Sequence, residues 1–181
     1  MTEPTDPGPS TPDTADWTWV LRRPCPDCGF DADSLPVEEV PAFLRDAGQR
    51  YAVRLDRDDA RTRPAPGVWS PLEYACHVRD VCHVMRGRLE KVLAGGGDTV
   101  HFADWDQDAT ARERQYWRAD PDVVAREVTT ACDAAATAYA LPEGTQWAWP
   151  ARRSNGSAFT ARTLALYFAH DIRHHLRDVT A

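Results

Sequence analysis

Three of the chain's six histidines fall within six residues near the C-terminus: His170, His174 and His175, in "LALYFAHDIRHHLRDV". The segment carries a helical pattern. Residues four apart on a helix lie one above the other on the same face, so His170 and His174 can converge on a single metal ion. His175 stands about 100° further round the helix, toward the apolar stripe of Leu164, Phe168, Ile172 and Val179. The group therefore reads as a pair plus a neighbour. H-x-x-x-H is a loose pattern, and two hydrogen-bonded or solvated histidines at this spacing are the plain alternative.

A third ligand must come from another element. His77, His83 and His101 are the candidates, and spacing does not choose between them. His77 follows a strong helix start and shares a face with Asp80, Val81 and Val84; His83 points well away from it. Three neutral imidazoles would leave a coordination position for water or substrate, the arrangement of a working metal site rather than a closed structural one.

The stretch "WSPLEYACHVRDV", followed far downstream by "AHDIRHHLRDV", resembles the DinB superfamily of YfiT-like metal-binding bundles. Its members typically show W-S-x-x-E-x-x-x-H on the second helix and H-x-x-x-H on the last, matched here by Trp69, Ser70, Glu73 and His77, then His170 and His174. The resemblance covers roughly residues 36 to 179. It implies that His77, His170 and His174 bind a divalent metal, zinc or nickel, at one end of a four-helix bundle. His175 takes a position that is often arginine and is not carried over as a ligand. Members with assigned chemistry include thiol-dependent S-transferases and mycothiol-dependent maleylpyruvate isomerases, and the isomerases tend to carry Glu where this chain has His170.

A metal ion with an open position can bind a thiol and present it as a thiolate nucleophile near neutral pH, or activate water instead. Carboxylates that fix the imidazole tautomers are expected beside it, with Asp80 and Asp171 as candidates. Tyr167 and Thr163 lie within a turn of the His170 face, and Trp105 comes from a loop, so these three are expected to line a substrate pocket. Trp147, Trp149, Arg152 and Arg153 are further loop residues that could meet substrate or simply pack.

Cys25 and Cys28, in "CPDCGF", form a competing signal. C-x-x-C followed by Gly looks like half a zinc ribbon whose other C-x-x-C is absent, and a redox dithiol lacks its usual βαβ context. A second metal or a redox centre is therefore a candidate here, its remaining ligands unidentified. Cys76, Cys82 and Cys132 fall inside helical patterns and read as small buried apolar residues.

The elements that must position these groups are helical. Residues 1–16 are Pro, Thr and Asp with little apolar content and read as a disordered tail; 17–35 is an irregular entry segment containing the C-x-x-C; 36–181 is the bundle. A first helix is expected over 36–55. A second begins with Ser70 as N-cap, Pro71 at N1 and Glu73 at N3, a capping box, and ends at Gly95–Gly97. A helical turn near 107–118, a helix from Pro121 to about 140 and a last helix over 161–179 complete the set. With hardly a strand signal, the fold class is all-α, a four-helix bundle with one long crossover connection through 95–108.

Net charge is −7 with pI near 5.3, which argues against nucleic acid as a partner. No apolar run approaches the roughly 18 residues a membrane span needs, and no secretory signal is visible. A cytoplasmic home with reduced thiols is expected. A single lysine among many arginines suggests a GC-rich bacterial genome, which makes mycothiol the low-molecular-weight thiol to expect. The functional expectation is a metal-dependent transferase acting on a small thiol and an electrophile, with a homodimer expected from relatives that pair through helices. The rivals are a non-catalytic metal-binding stress or sensor protein and a thiol–disulfide protein centred on Cys25 and Cys28.

Overall fold

The computed structural model describes residues 5–180. Four long helices carry it: α1 (Val40–Leu55), α2 (Pro71–Ala94), α4 (Pro121–Tyr139) and α5 (Ala161–Thr180). A short helix α3 (Gln107–Glu113) and three strands, β1 (Val100–Phe102), β2 (Pro150–Arg153) and β3 (Ala158–Thr160), fill the connections. None of the described helices is long and apolar enough to cross a membrane.

Local chemistry accounts for the boundaries. At α2 the Ser70 hydroxyl accepts from the Glu73 amide at 3.3 Å, while the Glu73 carboxylate accepts from the Ser70 amide at 2.8 Å. That reciprocal pair satisfies donors that the first helical turn leaves unpaired. Glu73 also receives Arg63 Nε at 2.9 Å, so the buried carboxylate is neutralised where it sits. Asp120 caps α4 by accepting from the Asp122 and Val123 amides, and Pro121 opens the helix. The expected first helix begins as a 3-10 turn at Val37–Glu39 before becoming α-helical at Val40.

The bundle is not a simple up-and-down one. α1 packs on α4 and α5, and α2 packs on the same two helices, so the sequence neighbours α1 and α2 face each other across a diagonal. The α1–α4 approach is close enough that a Cβ added at Gly48 would stand 2.9 Å from Cys132 Cβ. Cys132 Sγ lies 3.6 Å from Cys82 Sγ in the dry interior; all five cysteines are free thiols, with Cys76, Cys82 and Cys132 fully buried.

A small three-stranded sheet accompanies the helices, its β2–β3 pair falling where the sequence "PEGTQWAWPARRSNGSAF" reads as a loop or a small hairpin. β1, inside the long α2–α3 connection, pairs parallel to β2 with Val100 opposite Ala151, and β2 pairs antiparallel to β3 with Ala151 opposite Phe159. β1, only three residues long, is too short to show alternation, which is why no pattern announces it. The buried faces of the three strands, Phe102, Ala151 and Phe159, close the end of the bundle beside α5.

Of the segment expected to be a disordered tail, residues 1–4 lie outside the described residues. Residues 5–16 run without regular structure along the loops, where the Thr11 amide donates to Gly67 O at 2.9 Å and Arg63 donates to Gly8 O at 3.0 Å. A 3-10 turn, Trp17–Leu21, then leads through turns carrying Cys25 and Cys28 into α1, and it packs on α5.

Candidate metal centre

Among the described residues, two groups of potential ligands meet on α5. His77, Asp171 and His175 form one; Cys25, Cys28, His170 and His174 form the other; within each, one donor atom per residue lies within 4.8 Å of every other. The structure therefore does not bring His77 to His170 and His174, and the expected three-imidazole set is corrected. The physical reason is the 100° step between successive helical residues. The 171/175 face of α5 turns to α2, where His77 is, while the 170/174 face turns to the segment that precedes the bundle. His175 is accordingly not directed into an apolar stripe. His83 and His101 are exposed and join neither group.

His77 is held by the capped start of α2, one turn beyond Glu73, with its ring flanked by Trp69 at 5.4 Å and stacked on Trp105 at 5.5 Å. Its Nε2 lies 3.5 Å from Asp171 Oδ2, and Asp171 Oδ1 lies 3.7 Å from His175 Nε2. Ligands bonded at about 2.1 Å to a tetrahedral ion stand about 3.4 Å apart, close to these two separations, and one donor atom from each of the three residues lies within 4.8 Å of the others. Asp178, which the sequence reading did not single out, hydrogen-bonds His175 Nδ1 at 2.9 Å. That bond orients the ring and leaves Nε2 facing the group, the carboxylate–histidine arrangement common behind metal ligands.

Unpartnered atoms support the fit. Six buried side-chain polar atoms lack a hydrogen bond among the described residues. Four of them, both ring nitrogens of His77, Asp171 Oδ2 and His170 Nε2, belong to these two clusters. Buried polar groups are almost always satisfied, so this concentration marks places built for another partner.

The charges follow the same layout. Burial alone would raise the Asp171 carboxyl, but the His77 imidazole and the neighbouring His175 and His170 outweigh it and bring it to about 2. Burial lowers His175, yet the Asp178 hydrogen bond and the Asp171 charge bring it above its ordinary value. Burial dominates at His170 and takes it down to about 4, with His174 and His175 adding to the effect against Asp171. Burial also pushes the Cys28 thiol up to about 11, against the Phe30 amide.

Asp171 forms part of the wall of a cavity of about 640 Å³, within the range of small-molecule sites. Tyr167 and Trp105 line it, together with Trp17, Met85, Arg88 and Arg153. Arg88 sits three turns along α2 from His77 on the same face, is 8% exposed, and donates to Ala103 O at 3.1 Å. It has no carboxylate within ion-pair distance among the described residues. Two expectations are corrected here. Thr163 is spent closing the start of α5, accepting from the Thr160 amide at 2.8 Å, and does not line the cavity. Asp80 serves no imidazole: it accepts from Tyr116 Oη at 2.6 Å, Arg79 Nε at 2.9 Å and Arg114 at 3.0 Å, binding α2 to the turn before α4. Trp147, Trp149 and Arg152 also lie off the cavity wall.

A family model for the DinB superfamily matches residues 42–179. The chain belongs to the DinB superfamily. Among solved structures it is similar to YfiT from Bacillus subtilis, described as a probable metal-dependent hydrolase with an unusual four-helix bundle topology, at 20% identity and a TM-score of 0.61 over 80% of this chain and 81% of that one. At that identity the likeness speaks for the DinB fold. No curated protein sequence matches the chain. The DinB match begins after Cys25 and Cys28, so the second donor group is only half contained in the family region.

Proposed function

We propose that this DinB protein is a metal-dependent enzyme in which His77, Asp171 and His175 hold a divalent ion, zinc or nickel, and an electrophile with an anionic group is anchored by Arg88 and Arg153. The observation that carries the reading is the convergence of three donors, His77, Asp171 and His175, of which Asp171 also belongs to the wall of a cavity containing Arg88, which has no carboxylate within ion-pair distance among the described residues. When bound, such an ion supplies Lewis-acid charge that makes a thiol or water nucleophilic near neutral pH.

The chain's own residues do the rest. Two imidazoles and one carboxylate would supply three ligands, a count characteristic of catalytic sites, where a further position is kept for water or substrate. Asp178 fixes the His175 tautomer through the 2.9 Å hydrogen bond. Trp69 and Trp105 cover His77 and exclude water from that side. Arg88, whose Nη1 donates to Met85 Sδ at 3.4 Å and whose guanidinium lies over Phe102 at 4.6 Å, offers charge to a substrate carboxylate or phosphate.

The nucleophile we favour is a low-molecular-weight thiol, mycothiol among them, which makes the reaction an S-transfer or thiol-assisted isomerisation. Hydrolysis is the second reading, favoured by the likeness to YfiT, itself described as a probable metal-dependent hydrolase. One experiment separates them. The metal-loaded protein is incubated with a panel of anionic electrophiles, with and without thiol. Thiol-dependent turnover that Asp171→Asn lowers at least a hundredfold, and that Arg88→Met weakens mainly through KM, is the expected result. Equal turnover without thiol moves the assignment to hydrolysis, and no turnover above free metal in either arm refutes the enzyme.

A further inference from the structure

The geometry points to a second, structural zinc site in which Cys25, Cys28, His170 and His174 bind one Zn²⁺ tetrahedrally and fasten the N-terminal segment to α5. Three independent features carry it.

The first is the donor geometry. Cys25 Sγ lies 3.7 Å from His174 Nδ1, and all four donors lie within 4.8 Å of one another. On a tetrahedral zinc with S at about 2.3 Å and N at about 2.0 Å, sulfur and nitrogen stand about 3.5 Å apart. The observed separation needs almost no adjustment.

The second is the backbone that carries the cysteines. The Cys25 amide donates to Phe30 O at 2.8 Å and the Gly29 amide to Cys25 O at 2.9 Å, folding "CPDCGF" into a tight knuckle. Gly29 has φ +67°, the left-handed conformation that a side chain would resist. The turn aims both sulfurs the same way, and the Phe30 amide is hydrogen-bonded to Cys28. A C-x-x-C on a tight glycine turn with an H-x-x-x-H on a helix is a Cys₂His₂ ligand set.

The third is what surrounds the group. His170 is buried with Nε2 unpartnered, and its ring packs against Trp17 and Phe30, each at 5.5 Å. Trp17 also packs on His174 at 5.0 Å, and Arg173 Nε donates to Cys28 O at 3.2 Å. With four protein donors the site is closed, so its role is to hold chain rather than to turn over substrate. The chain it holds includes Trp17, part of the cavity wall.

The test is metal stoichiometry read together with cobalt spectroscopy on the reduced full-length protein. Wild type is expected to bind two zinc ions per chain, and its cobalt form to show thiolate-to-cobalt charge-transfer absorption. Cys28→Ser should retain one zinc and lose that absorption; His77→Ala should also retain one but keep the absorption. In wild type, one equivalent of zinc should slow alkylation of Cys25 and Cys28 at least tenfold, a measurement that does not depend on a variant folding. Cobalt-loaded wild type without thiolate absorption, a Cys25–Cys28 disulfide in zinc-saturated protein, or alkylation unchanged by zinc would overturn the site. None of these outcomes bears on the ion at His77, so the two proposals fail separately.

Discussion

Replacing Asp178 by Asn tests whether the His77 group is a metal centre or only a hydrogen-bonded cluster. Asp178 contacts His175 at Nδ1, 2.9 Å away, and His175 offers its other nitrogen to the group. Asparagine is nearly isosteric but uncharged, so the ring loses both basicity and a firm tautomer preference. Partners behind a metal-ligating histidine are worth about 10- to 100-fold in metal affinity, or about 1.4–2.8 kcal/mol. The deficit should also depend on pH in a defined direction. Burial lowers His175, but Asp178 and Asp171 together bring it above its ordinary value. A cation must displace that proton, so wild-type affinity falls on acidification once pH drops below the raised value. In Asp178→Asn the proton is held less tightly, the fall begins at lower pH, and the gap between the proteins narrows. Chelator-competition titrations of the thiolate-free ion at pH 8 and pH 6 measure both quantities. A deficit under threefold at pH 8 in a folded variant, or one that grows on acidification, would refute the reasoning.

Three further outcomes are expected. Ser70→Ala removes one half of the α2 capping box and should cost about 1 kcal/mol, lowering the melting temperature by roughly 2–4 °C while both ions stay bound; calorimetry and metal analysis check it. Gly48→Ala should destabilise by about 1–3 kcal/mol through overpacking against Cys132, although helix propensity alone would favour alanine by about 1 kcal/mol; a urea midpoint that rises instead removes the close-approach argument. After chelation, stability should fall between pH 7 and pH 4. His170 has its folded value lowered to about 4, so over that window the unfolded chain takes up a proton that the folded chain refuses, a loss on the order of 3 kcal/mol. His175, shifted upward, contributes with the opposite sign. His170→Gln should shrink the loss, as urea titrations at each pH would show.

The helices were legible because each carries its own punctuation: Ser70, Pro71 and Glu73 open α2, and Asp120 with Pro121 opens α4. The family was legible for the same reason, since part of the motif that names it is also the cap that opens α2 ahead of His77. Which face of α5 meets α2 was not. His170/His174 and Asp171/His175 are both spaced i, i+4, and only tertiary packing selects between two registers one residue apart. The half-motif at Cys25 and Cys28 could not show its partners, which lie 142 or more positions away in the chain. Asp178 was hidden as an ordinary acid near a helix end, and β1 was too short to announce itself.

His170 and Asp171 are consecutive residues of one α-helix, yet the first faces the entry segment and the second faces α2. A helix does not twist appreciably between neighbouring residues, so anchoring His170 and His174 to the knuckle sets the rotation of α5 about its axis. The same rotation decides the angle at which Asp171 and His175 are offered to His77. The polypeptide ahead of the bundle thus works as an alignment key: what grips one edge of the last helix dictates how the adjoining edge is presented to the opposite wall.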